Sequence, residues 1–81
     1  MKAKIFVTLK PSVLDPQGKA IEISLKNLGL VGISSVRQGK LFDIDLEAIS
    51  QEEARQALTT ACEKLLTNLV IEDFNISFSE T

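Results

Sequence analysis

Between residues 54 and 66, Ala54, Ala57, Leu58, Ala61, Cys62, Leu65 and Leu66 fall on a single stripe at helical spacing. A helix with one apolar stripe must bury it on something, and the segments around it offer a sheet. Ahead of the stripe, Phe42, Ile44 and Leu46 alternate with Asp43 and Asp45. Behind it, Phe74, Ile76 and Phe78 alternate with Asn75, Ser77 and Ser79. Near the start, Ile5, Val7 and Leu9 alternate with Lys4, Phe6, Thr8 and Lys10. A period of two is the signature of a strand with one wet face, so the helix is expected to cover a half-buried antiparallel sheet. Ser50 and Glu53 have the spacing of a capping box at its start, and Thr67–Asn68 ends it.

The first half of the chain repeats this logic. Pro11 closes the first strand. Asp15 then precedes Pro16, an N-cap followed by proline at the first helical position. Ile21, Leu25 and Leu28 form an apolar helix face, and Gly29 follows where a left-handed stop is wanted. "ISSVRQGKLFDIDL" reads as a hairpin with its turn at Gln38–Gly39. The order is β-α-β-β-α-β. It predicts an α+β fold: one domain over residues 1–81, a two-layer ferredoxin-like sandwich with a four-stranded antiparallel sheet and two helices on one face. Right-handed crossovers give the strand order 4-1-3-2.

Composition removes several kinds of chemistry. The chain of 81 residues has no His and one Cys, so it holds no Ser/His or Cys/His pair and no ordinary zinc site. Neither a GxGxxG nor a Walker-type phosphate loop occurs, so no catalytic, cofactor or metal site is expected. A net charge of −2 speaks against nucleic acid as a partner. No apolar run approaches the roughly 18 residues of a membrane span, and "MKAKIFVTLK" lacks a signal-peptide core. With a single cysteine, the expected compartment is the cytoplasm.

Two stretches stand out as surfaces for a partner. "VLDPQGKA" is a capping turn, but Gly18 inside the helix costs about 1 kcal/mol relative to Ala, which points to something approaching that backbone closely. "VRQGK" sets Arg37 and Lys40 about a turn, where they could grip a carboxylate or a phosphate. The candidate partner interface is therefore Asp15, Gln17, Gly18, Arg37, Gln38, Gly39 and Lys40. Phe6, Val36 and Leu41 are expected to form a small apolar patch on the uncovered sheet face and to mediate self-association. Cys62 reads as a core thiol, and Asp43, Asp45 and Glu47 as a wet strand face.

Taken together, "VTLKPSVLDPQGKAI", "LKNLG", "VRQGKLFDI" and "CEKLLTNLVIEDF" resemble the PurS family over nearly the whole length. One departure is Leu69, where the family's pattern has Pro after Asn68. The resemblance implies a non-catalytic small subunit of the multi-subunit phosphoribosylformylglycinamidine synthase of purine biosynthesis. In that family a glutaminase subunit releases ammonia, and a large synthetase subunit uses it with ATP and magnesium. The small subunit bridges the two, binds no cofactor itself, and forms a homodimer or a dimer of dimers. The rival reading is an ACT-like module that shares the β-α-β-β-α-β order and binds an amino acid. An acylphosphatase-like enzyme would need a Gly-rich phosphate loop with a following Arg after the first strand, which this sequence lacks.

Overall fold

The computed structural model describes residues 1–47 and 49–79. Strand β1 (Lys2–Leu9) is central, flanked by β2 (Gly39–Asp45) and β3 (Glu72–Ser79) in the order β2-β1-β3, with both pairings antiparallel. Helix α1 (Pro16–Asn27) joins β1 to β2. Helix α2 (Gln51–Ala61), continued by a π-helical turn over Cys62–Leu66, leads to β3.

The period-two pattern sets which face is wet. Ala3, Ile5 and Val7 of β1 are buried in one cluster with Leu58 of α2 and Cys62 of the π-helical turn, and Ala54 of α2 is buried as well. Burying a side chain such as Ile5 or Leu58 stabilises by about 1.5–3 kcal/mol. Phe42, Ile44, Phe74, Ile76 and Phe78 extend this core while remaining partly exposed. On the opposite face Lys4 pairs with Asp43 at 2.9 Å and Lys2 with Asp45 at 3.6 Å, cross-strand neighbours in the β1–β2 register. Asp43 and Asp45 are thus the wet face that alternation predicts. Among the described residues no acidic or thiol cluster could hold a metal ion.

Both helix starts follow their caps. Asp15 accepts from the Gly18 amide at 2.9 Å with Pro16 at the first helical position. Ser50 Oγ accepts from the Glu53 amide at 3.1 Å. Gly29 takes the left-handed conformation, φ 86°, just beyond α1.

The four-stranded sandwich is corrected in two respects. The sheet has three strands, because residues 33–38 join no ladder. No hairpin turn forms at Gln38–Gly39: Gly39 has no positive φ and opens β2 opposite Thr8. The reason is competition for backbone groups. The Gln38 amide donates to Asp15 and the Val36 carbonyl packs on Gly18, so this segment is committed to the start of α1 and does not fold back on β2. The order of the three strands that do form agrees with the predicted 4-1-3. The second correction concerns the layers: α2 packs on the sheet, whereas α1 makes no substantial contact with any strand or with α2. On its apolar face Leu28 is 75% and Ile21 39% exposed, while Leu25 is partly buried.

Candidate functional site

The two stretches singled out in the sequence meet at Asp15. Its Oδ1 accepts from the Gly18 amide at 2.9 Å and its Oδ2 from the Gln38 amide at 2.7 Å. One carboxylate therefore caps α1 and also ties α1 to the start of β2. These two bonds, Gln38 first, hold the Asp15 carboxyl below its ordinary value of 3.8 against the opposing effect of burial. Gly18 allows the approach. A Cβ there would sit 2.5 Å from the Val36 carbonyl oxygen and 2.5 Å from Asp15 Oδ2.

Arg37 completes the junction. Its Nη2 donates to the carbonyls of Lys10 and Val13, both at 2.9 Å. The turn itself closes through the Val13 amide and the Lys10 carbonyl at 2.9 Å. The guanidinium is thus turned inward onto this chain's own loop, although the residue remains exposed. Arg37 therefore helps to hold this chain's own loop. Lys40 differs. Its ammonium lies 3.8 Å from Glu72 Oε2, and its side chain is about two-thirds exposed.

A shallow cleft of about 180 Å³ opens here, lined by Val7, Leu9, Asp15, Gln17, Gln38, Gly39, Lys40 and Glu72. Of the predicted interface residues, Asp15 and Gly18 are buried beneath the surface. Gln17, Gln38, Gly39 and Lys40 are exposed upon it. The set offers amide donors and acceptors and one exposed cation over a backbone held by these hydrogen bonds. From the sequence Glu72 reads only as a charge at the start of a strand. Its Oε1 accepts from the Asn68 amide at 2.8 Å, closing the turn that carries Leu69; a carboxylate at a strand start gives no cue to this.

The expected apolar patch is only partly assembled. Phe6 and Leu41 are cross-strand neighbours on the uncovered face, 43% and 50% exposed. Val36 is half-buried and lies outside the sheet. Cys62 is buried, and burial pushes its thiol up.

Residues 2–80 match the family model for PurS, phosphoribosylformylglycinamidine (FGAM) synthase. The chain is 49% identical over 71 residues to the phosphoribosylformylglycinamidine synthase subunit PurS of Synechocystis sp., covering 88% of this chain and 71% of that one. It is 41% identical to the corresponding subunit of Archaeoglobus fulgidus, covering 99% and 100%. Among solved structures it is similar to Methanocaldococcus jannaschii PurS, with a TM-score of 0.89, 34% identity, and coverage of 99% and 96%. It is also similar to a chain of PurLQS from Thermotoga maritima, with a TM-score of 0.87, 33% identity, and coverage of 94% and 93%. A match of sequence and of fold across nearly the full length places the chain in the PurS family.

Proposed function

We propose that this chain is the small, non-catalytic subunit of phosphoribosylformylglycinamidine synthase in purine biosynthesis. It joins the glutaminase to the large synthetase subunit and supports transfer of ammonia between them. The observation that carries this reading is the near-full-length likeness to named subunits of that synthase and to a chain of a PurLQS assembly. The geometry supports it. Gln17, Gln38 and Lys40 stand on a backbone pinned by Asp15, Gly18 and Arg37, and a fixed surface loses little entropy when a partner docks. ATP and magnesium belong to the large subunit, and this chain binds no cofactor. The cytoplasm fits this role, and no helix among the described residues is long and apolar enough to cross a membrane. The ACT-like alternative is not favoured by relatives that share the whole chain.

The test is reconstitution. With the host's glutaminase and synthetase subunits, adding this chain should yield a co-purifying complex and glutamine-dependent synthesis. Ammonia-dependent synthesis by the large subunit should need no addition. Equal glutamine-dependent rates with and without the chain would overturn the reading.

A further inference from the structure

The cleft at Lys40 lies at one end of the sheet's inner face, the face that carries Ile5 and Val7 into the core. By register Lys40 stands opposite Val7 on one side of β1, and Glu72 opposite Leu9 on the other. The polar groups there are poorly matched to one another. Lys40 Nζ is 3.8 Å from Glu72 Oε2, beyond hydrogen-bond reach. The side-chain amides of Gln17 and Gln38 have no partner among the described residues. A volume of about 180 Å³ is below the roughly 300–1,000 Å³ of a small-molecule pocket. It has room for little more than a side chain.

The backbone beside the cleft is equally open. The Leu46 amide donates to the Met1 carbonyl at 2.9 Å, and hydrogen-bonded pairs alternate along an antiparallel ladder. Lys40 and Phe42 therefore bond to β1, whereas Gly39, Leu41 and Asp43 turn N–H and C=O away from it. Among the described residues no strand lies on that side of β2, given the order β2-β1-β3. Residues 33–38, the nearest candidates in this chain, are held at the start of α1 by the bond from the Gln38 amide to Asp15. A strand added at this edge places the residue opposite Lys40 on the inner face, over the cleft. A second copy cannot put an acid there. In a two-fold pairing of β2 with itself, residues turned outward bond to each other. Lys40 then meets Gln38, Lys40, Phe42, Ile44 or Leu46, and never Asp43 or Asp45.

We propose that an extended, acid-bearing segment of a partner subunit adds to β2 as a fourth strand. Its backbone pairs with Gly39 and Leu41. An Asp or Glu opposite Lys40 sets its carboxylate on Nζ, a charge-assisted bond in place of the loose pair that Glu72 makes at 3.8 Å. Gln17 and Gln38 take the segment's next polar groups. A free anion is a poorer occupant, because it faces Glu72 without the backbone bonds that hold a strand. This docking rests on the bridging role proposed above and gives that role a surface.

The test titrates the chain with the host's glutaminase and, in a second arm, with its synthetase subunit. In the chain alone the Gly39 and Leu41 amides should exchange quickly with deuterium. In one of the two complexes both should be protected. Lys40→Glu should raise the dissociation constant of that complex by about 100-fold, because like charges then face each other. Gln17→Ala should raise it by about 3–10-fold, and Lys40→Arg should leave it near the parent's. All three variants should melt with the parent, since both side chains are exposed. If Lys40→Glu unfolds, exchange on the unmodified chain decides. Binding to neither subunit removes the bridging role, and the docking with it. Binding with Gly39 and Leu41 still unprotected, or with Lys40→Glu as tight as the parent, overturns the strand addition and leaves the bridging role standing. Protection of those amides in the chain alone, rising with its concentration, overturns it as well, because a second copy then fills the edge.

Discussion

Asp15 shows how much one side chain can settle. Both oxygens are used, one on the Gly18 amide and one on Gln38, and the carboxyl is held below its ordinary 3.8. Glu22 is likewise held below 4.5, first by the Lys26 ammonium and then by Lys19. A carboxyl whose folded-state value is depressed stabilises the fold above its unfolded value, and that stability is lost as pH falls through the folded value. The melting temperature should therefore drop between about pH 5 and pH 2, and Asp15→Asn should flatten part of that slope in thermal melts across the range. Arg37 and Lys40 should separate. Arg37→Ala frees the carbonyls of Lys10 and Val13 and should cost about 1 kcal/mol, or about 4–8 °C in a domain of this size. Lys40→Ala removes only a loose pair with Glu72, worth below about 1 kcal/mol. It should leave melting unchanged while lowering glutamine-dependent synthesis in the reconstituted complex. Full synthesis by Lys40→Ala would mean that this cation faces only solvent.

At the scale of elements, α1 and α2 obey the same local rules and reach different ends. Each has a side-chain cap and one apolar face. The stripe of α2 meets Ile5 and Val7 and closes the core, so Leu58→Ala should cost about 2–5 kcal/mol, measured by denaturant titration. Helix α1 is placed by its first turn instead. Helix propensity alone says that Gly18→Ala should stabilise by about 1 kcal/mol. The structure predicts the opposite sign, because the added carbon meets backbone at 2.5 Å and a carbonyl cannot swing aside as a side chain does. Melting should fall, and the Gln38 amide should exchange faster with deuterium as its bond to Asp15 loosens.

For the molecule as a whole, the buried core is small: Ala3, Ile5, Val7, Ala54, Leu58 and Cys62. Exposed aliphatic residues surround it, including Leu28, Val31 and Leu65. A chain of 81 residues with so much uncovered apolar surface should gain stability from association. The melting temperature should accordingly rise with protein concentration when scanned from about 1 μM to 100 μM, as mass action requires of a folded state that pairs. A concentration-independent melt would mean that the single chain is stable unaided.

The sequence by itself determined the local structure. Alternation at Ile5–Leu9, Phe42–Leu46 and Phe74–Phe78 declared three strands and their wet faces, and Asp15–Pro16 and Ser50 declared two helix starts. These signals are local, because side-chain direction follows backbone period within a few residues. The family was legible too, in motifs that run the length of the chain. What covers an apolar face is not local, so Ile21, Leu25 and Leu28 announced a face without saying that their own sheet would not receive it. The missing strand at residues 33–38 failed for the same reason: its fate turned on whether the Gln38 amide bonds to a ladder or to Asp15, 23 residues away. Only the tertiary structure decides such a competition, because each backbone donor satisfies one partner and the nearer well-placed carboxylate takes it.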